Sequence, residues 1–121
     1  MAHPGDSTPV DVPEALRLSG GDPELFRELA GELVRHAPGQ LTGLRTAIAA
    51  GDGRTLGLVA HSLRGALATI AAPAAAREAG ELERHGAAGR LPEAARCLAA
   101  LEAEVDRVLT FLANGAWRDR L

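Results

Sequence analysis

The chain reads as all-α, an antiparallel four-helix bundle with a short additional N-terminal helix. Strand signals are nearly absent, since the aromatics are only Phe26, Phe111 and Trp117 and β-branched residues are scattered. Ala, Leu, Arg and Glu dominate instead, and all of them favour helix. Apolar residues recur at steps of three and four in long stretches separated by Gly, Asp and Pro, the spacing of one buried helical face. With 121 residues the chain suffices for one domain with a real core, because a chain near this size buries about two-thirds of its unfolded surface.

Residues 1–10 hold Pro4, Gly5, Ser7, Thr8 and Pro9 and read as a loose arm. Asp11 is placed to cap a short helix with Pro13 in its first turn, ended by Ser19, Gly20 and Gly21. Its Val12, Leu16 and Leu18 are expected to dock on the bundle. Asp22 and Pro23 start a second helix, and the stripe Phe26, Leu29, Leu33, Ala37, Leu41, Leu44, Ile48 carries it to about Ala50. Pro38 removes a backbone bond and collides with the preceding turn, which predicts a kink near His36. Gly51 stops this helix and Asp52 can cap the third, which spans about Gly53 to Ala71 and faces the core with Leu56, Ala60, Leu63, Leu67 and Ile70. Pro73 opens a fourth helix whose inward face, Ala76, Ala79, Gly80, Leu82 and Glu83, is unusually small-sided. His85 and Gly86 are expected to end it. Leu91, Ala94, Leu98, Leu101, Val105, Val108 and Leu112 then mark a long last helix. Residues 11–114 thus form the bundle and 115–121 a tail, in which Trp117 is expected to cap the bundle's end.

Composition excludes several function classes. The formal net charge is −3, and the thirteen basic residues are all arginine and dispersed, which argues against a nucleic-acid footprint. The lone Cys97 sits between apolar helical positions and reads as a buried reduced thiol. No apolar leader and no stretch approaching a twenty-residue span is present, so secretion and membrane insertion are disfavoured and a cytoplasmic place is expected. Each helical stripe finds its mate inside a four-helix bundle, which predicts a monomer.

His61 falls about 100° from the apolar face of the third helix, at its rim. Its helical neighbours are Gly57, Gly65 and Ala68. A glycine inside a helix costs about 1 kcal/mol relative to alanine, so two of them imply close packing or a need for open access to what lies between. His3, in the arm, His36, beside the proline, and His85, at a helix end, lack such surroundings. A metal site would need several convergent ligands, and positions 57, 58, 64 and 65 supply no His, Cys or carboxylate.

Ala60, His61, Ser62, Leu63, Arg64, Gly65, Ala66 and the downstream Leu82, Glu83 resemble the signature of histidine phosphotransfer (HPt) domains, in which AH-x-LKG is followed by small residues and later by an LE pair. The resemblance covers nearly the whole chain, including the Ala50, Gly51, Asp52 turn that leads into the histidine helix. It implies that His61, through Nε2, takes a phosphoryl group from the aspartyl phosphate of a response-regulator receiver domain, or from a hybrid histidine kinase, and passes it to another receiver. A free imidazole, with a pKa of ~6.5, is largely neutral at pH 7 and can attack phosphorus in line. By the same resemblance Arg64 stands where lysine is usual and offsets phosphoryl charge, while Gly57, Gly65 and Ala68 belong to the surface a receiver approaches. Leu67 and Ala68 replace small polar residues, and Ala71 a frequent glycine. No nucleotide-binding loop is present, so the phosphate comes from another protein, Mg2+ belongs to the partner receiver, and no cofactor is expected on this chain. The alternative is a non-phosphorylated helical adaptor that docks a receiver or kinase. Met1 and the arm favour a free-standing protein over an excised domain.

Overall fold

A computed structural model describes residues 8–121 of the chain. Residues 1–7 of the expected arm, with His3, lie outside the described residues. The helices run in order α1 (Val12–Leu18), α2 (Pro23–Ala49), α3 (Gly53–Thr69), α4 (Pro73–Ala87) and α5 (Leu91–Asn114), followed by a 3-10 turn over Ala116–Arg120. No strand occurs among the described residues. Consecutive long helices pack on one another and α2 closes the ring against α5, so the fold is the four-helix bundle that the stripes require.

Side-chain caps set the helix starts. Asp11 Oδ1 accepts from the Glu14 N–H at 3.1 Å, Asp22 Oδ1 from Glu24 N–H at 3.0 Å, and Asp52 Oδ1 from Thr55 N–H at 3.0 Å. Helix α2 runs unbroken through Pro38, whose exposed position leaves the buried stripe of Phe26, Leu33, Ala37 and Leu44 in phase. The stripe of α5, from Ala94 to Leu112, is buried as its spacing predicts. At the end of the bundle Trp117 is buried, stands edge-on to Phe26 with ring centroids 5.1 Å apart, and donates its indole N–H to the Leu112 carbonyl at 2.9 Å. It caps the bundle. Cys97 is half-buried, its thiol donates to the Glu78 carbonyl, and burial pushes it up to about 11, so it stays protonated at neutral pH.

Three expectations need correction. Val10, a residue of the expected arm, is fully buried, and the neighbouring Asp11 N–H donates to the Ala71 carbonyl at 2.9 Å, which ties the segment before α1 to the α3–α4 turn. Leu18 does not dock: it is 47% exposed, because α1 turns Val12 and Ala15 inward and position 18 lies about 120° from Val12 around the helix. Gly86 does not end α4; the helix continues to Ala87 and Gly86 is buried inside its last turn.

The reason for Gly86 lies across the α3–α4 crossing. A Cβ there would stand 3.0 Å from Gly57 N, 3.1 Å from Gly53 O and 3.3 Å from Gly57 Cα, and a Cβ on Gly53 would meet Gly86 O at 2.8 Å. Backbone rests on backbone here. The approach is what brings side chains of α4 within reach of the outer face of α3. Gly86→Ala must push the two helices apart, since every close neighbour is main chain, and is expected to cost about 1–3 kcal/mol and lower Tm by at least roughly 4 °C in a thermal melt. An unchanged Tm would show that the crossing has slack.

Candidate functional site

Helix α3 buries Leu56, Ala60, Leu63 and Leu67, so the positions between them project outward. Arg54, Leu58, His61 and Gly65, spaced four, three and four, make one exposed stripe. The side chain of His61 is 63% exposed and Leu58 is 62% exposed. The imidazole stands in solvent, as its place at the rim of the apolar face predicts.

One edge of that imidazole is taken. His61 Nδ1 lies 2.8 Å from Glu83 Oε2, a carboxylate supplied by α4. The other oxygen, Oε1, accepts from Arg64 Nε at 2.8 Å. Arg64 Nη2 approaches the same Nδ1 at 3.1 Å. An ionised carboxylate can only accept, so in the shorter contact Nδ1 carries the proton and donates it to Glu83. The tautomer with Nδ1–H leaves the Nε2 lone pair bare. Partial desolvation pushes the Glu83 carboxyl up, but hydrogen bonds from His61 and Arg64, with the charge of Arg64, outweigh it and hold the group below the ordinary carboxylate range. Glu83 is thus ionised at neutral pH. Gly80, one turn earlier on α4, makes room for the Arg64 stem: a Cβ there would stand 3.2 Å from Arg64 Cδ.

Ion pairs this exposed contribute about 0–1 kcal/mol to folding. The triad therefore does little for stability and much for orientation. Its arrangement, a carboxylate behind an imidazole whose far nitrogen faces solvent, suits nucleophilic attack, since the anion compensates positive charge that develops on the ring.

Of the residues expected at the site, His61 and Arg64 come together and Gly65 lies one turn beyond, exposed, with nothing within 4 Å of where its Cβ would be. Gly57 is half-buried and faces α4, where its backbone supports Gly86. Ala68 is exposed two turns past His61, beside Asp11 and Ala76 rather than beside the ring. Glu83 belongs by spacing to the inward face of its helix and by resemblance to the LE pair of the signature. It is 29% exposed at the side chain and points along the surface. The signal was present in the Leu82, Glu83 pair, but no local periodicity tells which residue of α3 a carboxylate on α4 will reach. Among the described residues no three His, Cys, Asp or Glu side chains converge to hold a metal ion, and no helix is long and apolar enough to cross a membrane.

Comparison with known proteins agrees with this geometry. Residues 28–111 match the family model of the Hpt domain. Among solved structures the chain is similar to histidine-containing phosphotransfer protein B (HptB) from Pseudomonas aeruginosa PAO1, with a TM-score of 0.79 and 25% identity over 93% of this chain and 96% of that one. No curated protein matches it.

Gly65 is an exposed helical glycine whose added Cβ would meet nothing among the described residues. Gly65→Ala is expected to raise stability by about 1 kcal/mol, seen as a higher urea midpoint at unchanged m. A loss of stability would mean that the position has a structural duty inside the fold.

Proposed function

The chain belongs to the Hpt domain family, and from that premise we propose that it relays phosphoryl groups through His61 between receiver domains, or from a hybrid histidine kinase to a receiver. The observation that carries this reading is the exposed imidazole whose Nδ1 is held by Glu83 while Nε2 stays open. The Nε2 lone pair attacks the phosphorus of an aspartyl phosphate in line. The bond from phosphorus to the aspartyl oxygen breaks, and the carboxylate leaves with the electron pair. The ring becomes an N-phosphoryl imidazolium that keeps its proton at Nδ1, and the Glu83 carboxylate faces that new charge. Transfer onward reverses these steps at a second aspartate.

Arg64 is the electrostatic helper. Its Nε is tied to Glu83, which holds the guanidinium beside the ring and offers positive charge to the transferring phosphoryl oxygens. The fork of arginine permits this double use, with Nε on the carboxylate and Nη2 beside the imidazole, where the single ammonium of lysine would divide itself between them. Gly65 gives the partner's backbone clearance, and Ala68 continues that surface. Gly57 serves the site through the helix crossing. The chain contributes no cofactor; Mg2+, which neutralises the acyl phosphate, belongs to the partner. Each long helix packs against two others, which supports action as a monomer, and the protonated thiol of Cys97 suits a reducing cytoplasm.

The test is transfer itself. Incubation with a phosphorylated receiver and Mg2+ should place an acid-labile phosphate on the wild-type chain and none on His61→Gln. Equal labelling of the variant would remove His61 from the relay, and absence of label on both would favour an adaptor that docks without chemistry.

A further inference from the structure

Beside His61 the outer face of α3 falls into an open depression of about 420 Å³ that ends at Arg54. Its floor is main chain. Gly53, Gly57 and Gly86 meet there so closely that none of the backbone contacts leaves room for a side chain at Gly53 or Gly86. Leu58 forms an exposed apolar lip between Arg54 and His61. Arg54 stands seven residues before His61 on the same stripe, two turns or about 10 Å along the axis.

The charges around the depression differ in their commitments. Glu83, on the α4 wall, is already bonded to His61 and Arg64. Asp52 is occupied by the backbone and hydroxyl of Thr55 as the cap of α3, and hydrogen bonds to Thr55, with the nearby charge of Arg54, lower its carboxyl. Apart from the nearby charge of Asp52, Arg54 has no ion-pair partner among the described residues and is exposed, in a chain of net charge −3. The stripe therefore presents a cation at Arg54, an apolar knob at Leu58 and the nucleophile, above a floor of bare peptide.

We propose that Arg54 and this depression are a second anchor for the phosphoryl-bearing partner: the depression seats the edge of a receiver's phosphorylation pocket, Leu58 is buried beneath it, and Arg54 pairs with a carboxylate on its rim. The inference rests on the reading of His61 as phosphoryl carrier. A partner that reacts through an aspartyl phosphate and Mg2+ must gather carboxylates around that aspartate to hold the cation, so the surface it brings to His61 is acidic. An arginine two turns from the reacting nitrogen is complementary to the rim of such a pocket without touching the phosphorus. Arg54 is a specificity-determining residue and takes no part in bond-making. Rim charges of this kind act on encounter and on salt dependence more than on the chemical step.

The experiment compares two donors. With a phosphorylated receiver that labels His61, initial rates are measured against receiver concentration at low and high salt for wild type, Arg54→Ala and Arg54→Glu. Phosphoramidate, a small donor that needs no docking surface, is run in parallel. Arg54→Glu should raise the half-saturating receiver concentration about tenfold, and Arg54→Ala less, with the saturated rate within about twofold of wild type. The difference should shrink at high salt, and phosphoramidate labelling should not change. An unchanged half-saturating concentration in both variants would overturn the proposal, and so would a parallel loss of phosphoramidate labelling, which would place Arg54 in the chemistry or in folding. Failure of the wild type with both donors would instead bring down the assignment of His61 on which the proposal stands.

Discussion

One carboxylate organises the functional face. Glu83 accepts from His61 Nδ1 and from Arg64 Nε, each at 2.8 Å, and so sets the tautomer of the imidazole and the place of the guanidinium together. Neither α3 residue has this order alone. An exposed histidine is free to turn and to exchange tautomers, and an exposed arginine loses rotamer entropy when it is held. Glu83 spends its ionised state, kept by these same bonds, on holding both. The pairing contributes little to folding, as its exposure requires. Its consequence is chemical: one nitrogen is protonated and oriented, the other bare and turned to solvent.

The carboxylate reaches the ring because α3 and α4 lie unusually close. Gly53 and Gly86 let main chain meet main chain, with the backbone of Gly57 against Gly86, and Gly80 leaves space for the Arg64 stem on its way to Glu83. Gly65 is different in kind, since its missing side chain opens space outward rather than inward. Two physical demands thus use the same residue type on the same helix. The first draws the helices together to build the site, and the second leaves the surface one turn beyond His61 bare, which the proposed relay would use as a partner's path. The stability forgone at Gly65 is about 1 kcal/mol, a modest fraction of the total for a domain of this size.

Much of the architecture was legible from spacing alone. Most residues of the apolar stripes of α2, α3 and α5 are buried as their three-and-four steps require, with Leu29, Leu41, Ile48 and Leu91 only partly buried against the core, and Asp11, Asp22 and Asp52 cap as their positions imply. Trp117 caps the bundle because a large ring with one polar atom is buried where the Leu112 carbonyl can accept its N–H. Failures came where tertiary contact overrode local signal. Gly86 reads as a stop because glycine usually is one, yet its small size serves the crossing. Val10 looks like part of a polar arm, yet it is buried where the chain bonds to the α3–α4 turn. At the site, the exposure of His61 followed from its angle on the helix, while the reach of Glu83 depended on the distance between two helices. No pattern within either helix encodes that distance.

The most direct test of this account looks at the ring itself. The 15N resonances of His61 in the wild-type protein near pH 8, followed before and after phosphorylation, report which nitrogen carries the proton and which takes the phosphorus. Protonation at Nδ1 with phosphorus on Nε2 is the predicted result. A ring protonated at Nε2, an even mixture of tautomers, or phosphorus bound at Nδ1 would contradict the claim that Glu83 orders the nucleophile.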